Sequence, residues 1–231
     1  MRQFPFYLVS TPIGNLDDFP PRAVEVLRTV DLILAEDTRR TKIIMSKYGI
    51  ATRVRSFHDH NKEKVSPEIL RQLEGGTRIA LVSDAGTPAI NDPGYYLVRM
   101  LVERGIEFTT VPGPSAILAA LVISGLPTDR FTFYGYMRRK KGERERAILE
   151  AGEGRGTAIF FESPHRLLKT LGVFEGLLPE REIVIARELT KIHEEVRRGT
   201  ASELLEYFGS KGVKGEIVIL VRGRGRKGVR P

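Results

Sequence analysis

The sequence predicts an α/β protein of two domains, an N-terminal domain on a parallel sheet and a C-terminal domain on a mixed sheet. Three observations carry that expectation. Short apolar or β-branched runs alternate with amphipathic stretches through the first half, the pattern of a parallel sheet covered on both faces. In the second half the runs follow one another across shorter connections with fewer helix signals, which favours strands of mixed direction. The 231 residues, 41% of them hydrophobic, suffice for one large domain or two of ordinary size.

In chain order, Phe6-Tyr7-Leu8-Val9 reads as the first strand and residues 22–30 as the helix after it. Leu32-Ile33-Leu34-Ala35 and a helix over 38–48 follow, with Gly49 as the stop. A helix over 64–74 precedes the strand Ile79-Ala80-Leu81-Val82. Asp92-Pro93 reads as an N-cap with proline at the first helical position of 94–104, which Gly105 ends. Phe108-Thr109-Thr110-Val111 closes the first domain, 1–112. A helix over about 115–124 opens the second domain, 113–221. Its strand candidates are Phe131–Tyr134, Ala158–Phe161, Ile183–Ala186, Glu195–Gly199 and Ile217–Leu220. Residues 222–231 read as a basic, disordered tail.

The absence of cysteine excludes a disulfide framework, thiolate metal sites, iron–sulfur clusters and a cysteine nucleophile. No uncharged run approaches the roughly 18 residues of a membrane span, and the N-terminal apolar run is too short for a signal sequence, so the chain reads as cytoplasmic. The net charge of +8 is unevenly placed. Residues 138–146 hold six basic and two acidic side chains, and the last ten residues hold five basic and none acidic. Basic segments on a near-neutral body suit capture of a polyanion, because each cation beside a phosphate releases counterions.

Three glycine- and proline-rich loops fall at strand ends: 10–16 (Ser-Thr-Pro-Ile-Gly-Asn-Leu), 83–88 (Ser-Asp-Ala-Gly-Thr-Pro) and 111–116 (Val-Pro-Gly-Pro-Ser-Ala). The carboxyl edge of an open α/β sheet is where ligands meet backbone N–H and C=O groups. Glycine permits close approach there, proline preorganises the loop, and Asp84 supplies an acceptor for a ribose hydroxyl or an ammonium.

Other motifs fail on context. Gly223, Gly225 and Gly228 have dinucleotide-loop spacing, but no helix or second strand can follow. No phosphate loop of the Walker type is present. Ser115 lacks the second glycine of a nucleophile elbow. His58-Asp59-His60 has no further histidine at ligand-like spacing, so no metal is expected.

The runs Tyr7-Leu-Val-Ser-Thr-Pro-Ile-Gly-Asn-Leu-Asp17, Ala35-Glu-Asp-Thr-Arg39, Ser56-Phe-His-Asp-His-Asn61, Ser83 to Gly94, Val111 to Ala116 and Phe161-Glu-Ser-Pro-His-Arg166 occur in order from about residue 5 to 221. Together they resemble the family of bacterial ribosomal RNA small subunit methyltransferases I, within the tetrapyrrole-methylase-like class of S-adenosylmethionine-dependent transferases. The resemblance implies a two-domain homodimer that moves a methyl group from S-adenosylmethionine to the ribose 2′-oxygen of a decoding-centre cytidine in 16S ribosomal RNA, free or in the small ribosomal subunit. It also implies a donor site between the domains, formed by Pro12, Asp84, Gly86, Thr87, Pro88, Ser115 and Ala116 with Phe161, Ala186, Arg187 and Gly215. The basic tail lies outside the pattern.

Methyl transfer from a sulfonium to oxygen is an in-line displacement that needs alignment and exclusion of water. A 2′-hydroxyl is a weak nucleophile, so an acceptor for its proton is expected. The candidates are Glu36 and Asp37 after the strand Leu32–Ala35, His58 and Asp59 in the run Ser56 to Asn61, and Glu162. Each has a plainer reading: helix caps for Glu36, Asp37 and Glu162, a polar loop for His58 and Asp59. Arg39, Arg40 and Lys42 beside them, and Arg138, Arg139, Lys140 and Lys141 in the basic segment, are candidates for RNA phosphates. A methylase of the same fold acting on a tetrapyrrole or a modified histidine, and a non-catalytic RNA-binding protein, remain alternatives. The basic segment favours RNA over the first, and donor binding separates both enzymes from the second.

Overall fold

Parallel pairing joins β1 (Phe6–Val9), β2 (Leu32–Ala35), β3 (Val54–Ser56), β4 (Ile79–Val82) and β5 (Phe108–Val111) in the order β3-β2-β4-β1-β5. The computed structural model describes residues 2–224. The chain divides into two compact units between Ser115 and Ala116, three residues beyond the boundary expected at 112.

Side chains on these strands alternate between two layers, as a period of two requires. Tyr7, Val9, Ile33, Ala35, Ala80 and Val82 pack under α1 (Pro21–Thr29) and α2 (Thr38–Tyr48). Phe6, Leu32, Leu34, Ile79 and Leu81 pack under α3 (Lys62–Glu74) and α4 (Gly94–Glu103). Each fully buried Leu, Ile or Phe in these layers contributes about 1.5–3 kcal/mol. Helix ends follow local chemistry. Asp37 caps α2 by accepting from Arg39 N–H at 2.9 Å, and Gly49 ends it with φ +61°.

The second unit is a mixed sheet, as expected. Its strands are β6 (Phe131–Tyr136), β7 (Thr157–Glu162), β8 (Ile183–Arg187), β9 (Glu195–Gly199) and β10 (Ile217–Arg222), in the order β6-β7-β10-β8-β9. The β6–β7 pair is parallel and the other three neighbouring pairs are antiparallel. One face packs under α6 (Lys141–Glu153), α7 (Leu167–Leu177) and α8 (Ala201–Lys211). The other is crossed by α5 (Ala116–Ser124), which contacts β10 and β8.

This unit is richer in helix than the sequence suggests. Two thirds of the basic run 138–146, from Lys141 on, forms the first turns of α6, and Arg144 within it is buried. Charge masked the amphipathic period there. The expectation of a tail from residue 222 is corrected for its first three residues. Arg222 closes β10, while Gly223 and Arg224 N–H donate to Gly156 and Gly154 carbonyls at 2.7 and 2.8 Å. Residues 225–231 lie outside the described residues.

Candidate active site

In the first unit β1 lies between β4 and β5, so the loops leaving their carboxyl ends are neighbours. They are tied together by hydrogen bonds. Thr11 N–H donates to Gly86 O at 2.9 Å and Gly86 N–H returns to Thr11 O at 3.0 Å. Thr11 Oγ1 donates to Ser83 O at 2.9 Å, Ser10 Oγ meets Thr87 Oγ1 at 3.2 Å, and Ser10 N–H donates to Val111 O at 3.2 Å. Gly86 has φ +80°, where a side chain is strained. Pro12, Asp84, Gly86, Thr87, Pro88 and Ser115 therefore belong to one cluster of interlocked loops. Ser10 and Thr11, which make most of these ties, were not among the expected site residues; the serine and threonine between β1 and Pro12 are the signal for them.

An acidic group flanks this cluster. Asp84 Oδ1 accepts from Asp37 N–H at 2.8 Å, and Arg40 Nε lies 3.8 Å from Asp84 Oδ2. Burial, followed by the charges of Asp84, Asp92 and Asp59, pushes the Glu36 carboxyl above its ordinary value, and His58 partly offsets this. Asp37 goes the other way. Its hydrogen bonds from the Arg39 side chain and backbone N–H lower it to about 2. Asp92 Oδ1 accepts from Ala89 and Gly94 N–H, both at 2.8 Å, and holds a loop in which Ala89 and Asn91 have φ of +67° and +62°. Burial raises the Asp92 carboxyl despite those two hydrogen bonds.

Around β3, Asn61 accepts from His58 N–H at 2.9 Å and donates to Ser56 O at 3.1 Å. His58 Nδ1 is buried with no hydrogen-bond partner among the described residues. Asp59 pairs with Lys62 at 2.8 Å. Arg39 is engaged by Asp37 at 2.7 Å, whereas Lys42 is exposed on α2. Among the described residues no cluster of three or more His, Asp or Glu is positioned to hold a metal ion.

The second unit gathers the remaining candidates by strand register. Phe161 on β7 pairs with Val218 on β10, which pairs with Ala186 on β8, so Phe161 and Ala186 lie in one row. Arg187 follows Ala186 and donates to Glu195 Oε2 at 2.7 Å and Lys214 O at 3.2 Å. Gly215 has φ +88°, and a Cβ there would lie 2.3 Å from Glu188 Cδ. Ala116 opens α5, which covers this face.

Glu162 stands apart. It is buried and accepts from Ser163 N–H at 2.7 Å and Thr170 Oγ1 at 2.6 Å, with Arg166 Nη2 at 2.6 Å. Both oxygens are engaged in joining β7 to the start of α7. Arg138, Arg139, Lys140 and Lys141 are exposed; Lys140 lies 3.5 Å from Glu143 and Lys141 3.8 Å from Glu145.

Residues 5–205 match the sequence profile of the family described as tetrapyrrole (corrin/porphyrin) methylases. The chain is 46% identical over 217 residues to ribosomal RNA small subunit methyltransferase I of Thermotoga maritima, covering 94% of this chain and 97% of that one. It is 48% identical over 221 residues to the protein of that name in Escherichia coli O157:H7, covering 94% and 77%. In fold it is similar to the methyltransferase CobJ (TM-score 0.70, 19% identity, covering 95% and 94%). A cobalt precorrin-4 methyltransferase is similar to about the same degree (TM-score 0.68, 18% identity, covering 94% of each chain).

Proposed function

From its membership of the tetrapyrrole (corrin/porphyrin) methylase family, in which its close relatives carry the name ribosomal RNA small subunit methyltransferase I, we propose that this chain uses S-adenosylmethionine to methylate the ribose 2′-oxygen of a decoding-centre cytidine in 16S ribosomal RNA, free or within the small ribosomal subunit. The observation that carries the reading is the set of three interlocked loops at the carboxyl edge of the first sheet, with Glu36 and Asp84 beside them. The residues suit a cationic donor. Gly86 offers backbone without a side chain, and the acidic group has the sign that attracts a sulfonium.

In this reading Pro12, Asp84, Gly86, Thr87, Pro88 and Ser115, together with Ala116, Phe161, Ala186, Arg187 and Gly215, hold S-adenosylmethionine, which supplies an electrophilic methyl group. The chain orients the ribose 2′-hydroxyl in line with that methyl and accepts its proton as the oxygen–carbon bond forms and the sulfur–carbon bond breaks. Glu36 is the favoured acceptor. Its raised pKa makes it a stronger base than Asp37, which Arg39 holds near 2. Glu162 has both oxygens engaged already. His58, with a buried Nδ1 lacking a partner, and Asp59 complete the candidate set.

Arg39, Arg40 and Lys42, and Arg138 to Lys141, would meet RNA phosphates. The reading also carries a homodimer in the cytoplasm; Leu118 and Val122 are apolar and more than half exposed on α5, which suits a subunit contact. Incubation with methyl-labelled S-adenosylmethionine and small-subunit particles tests the reaction. Label is expected in ribosomal RNA, at a cytidine whose 3′ linkage resists alkali because its 2′-oxygen is blocked. Label in protein or pigment, or none, overturns the reading.

A further inference from the structure

Between β6 and α6 lies a groove of about 510 Å³ that holds none of the residues proposed for the donor or the proton. Along α6, Glu143, Arg146, Ala147 and Glu150 line it at the spacing of one helix face. Opposite them stand Tyr134, Tyr136 and Arg138, with Phe160 of β7 beneath. Tyr134 stacks on Phe160 with centroids 4.9 Å apart and planes at 19°. Burial, with Glu150 next in weight, raises the Tyr134 phenol, whose hydroxyl interacts with that carboxylate.

The rim is fixed from behind. Met137 N–H donates to Phe161 O at 2.9 Å, Arg166 donates to Met137 O at 3.2 Å, and buried Arg144 reaches Arg138 O at 3.5 Å. Arg138 therefore leaves a clamped backbone, which limits the ordering entropy lost when it binds.

The groove combines three chemistries. Aromatic rings offer stacking to a flat heterocycle, two carboxylates can only accept hydrogen bonds, and two guanidinium groups can only donate. An anion alone would be repelled by Glu143 and Glu150. An apolar side chain would leave all four charges unused.

We propose that this groove binds one unstacked nucleotide of the RNA, other than the one methylated, with an amino-bearing base facing Glu143 and Glu150 and its phosphate on Arg138 and Arg146. The inference rests on the reading of RNA as substrate. Cytosine and adenine present an amino donor; uracil presents a carbonyl that the carboxylates repel.

The test is fluorescence anisotropy with labelled octamers of C, A and U, using the full chain at fixed ionic strength. The wild type is expected to bind the C and A octamers about tenfold more tightly than U. Glu143→Ala with Glu150→Ala, both at exposed helix positions, is expected to bring all three to one affinity. Tyr136→Ala should weaken all three several-fold and Tyr136→Phe should restore them, since the stacking surface returns. Equal wild-type affinities overturn the inference. So does a uniform gain for all three octamers in the double variant, which would mean that the carboxylates merely repel phosphate. These measurements need no turnover. Methyl transfer to RNA by a wild type without base preference would sink the groove and spare the reaction, whereas base preference without methyl transfer would do the reverse.

Discussion

The Asp84 carboxylate accepts a hydrogen bond from the backbone N–H of Asp37 at 2.8 Å, joining the loop after β4 to the N-terminus of α2. One side chain thus sets the distance between a loop of the proposed donor site and the segment carrying Glu36. Hydrogen bonds to charged groups are worth about 1.5–3 kcal/mol. Asp84→Ala is expected to lose roughly 1–2 kcal/mol in urea unfolding, less than that range because the site is partly open to water. Asp84→Asn should recover most of that stability while donor affinity, read by calorimetry, stays weakened. An asparagine variant with full donor affinity would show that the charge is not used.

Glu36 couples stability and rate in opposite directions. Its carboxyl is raised in the folded chain, so its ionised form costs stability; the cost is present above the raised value and disappears below the ordinary value of 4.5. Glu36→Gln should therefore stabilise the fold at neutral pH and have little effect at acid pH. As the proton acceptor it should also slow methyl transfer by about 10²–10⁴ and remove the acid limb of the kcat profile. Stabilisation with an unchanged rate would leave Glu36 as strain only.

Gly86→Ala places a side chain at φ +80°, with its Cβ 3.5 Å from Ile13 Cγ2 and 3.7 Å from Pro114 O. The space is adequate and the backbone is not. A loss of about 1–2 kcal/mol in unfolding is expected from the left-handed conformation, with weaker donor binding as the loops shift. Wild-type donor affinity would remove Gly86 from the site.

Glu162→Gln tests a structural role against a chemical one. The amide cannot pair with Arg166 as a carboxylate does. Removing one partner of a buried pair costs about 3–5 kcal/mol, and roughly 2–3 kcal/mol is expected here because Arg166 is partly exposed. Donor affinity and the pH profile of the remaining folded enzyme should not change. A displaced profile in a stable variant would return Glu162 to the list of proton acceptors.

Neutralising Arg138, Arg139, Lys140 and Lys141 to glutamine should weaken RNA binding and reduce the salt slope by roughly 2–3, given about 0.7 per phosphate contact on a single strand. Donor binding should stay as it is. A slope identical to that of the wild type would move the RNA to another surface.

By itself the sequence determined what is local: continuous apolar runs for the strands, Gly49 as a helix stop, and glycine and proline at the strand ends; for Asp37 it offered a helix cap and a proton acceptor side by side. Those depend on backbone sterics and on hydrogen bonds between near neighbours. The charge-dense α6 and its buried Arg144 escaped, because a helix whose amphipathic period is written in arginines and glutamates does not read as a core element. Strand order was decided only by tertiary pairing. It sets β1 between β4 and β5, lets Thr11 bridge Gly86, and puts the charges of Asp84, Asp92 and Asp59 close enough to Glu36 to shift its pKa. It also lets the Asp84 carboxylate reach the Asp37 N–H. A carboxylate's role follows from what surrounds it in space: segments tens of residues away supply the charges around Glu36, whereas Glu162 is held by residues one, four and eight positions further on.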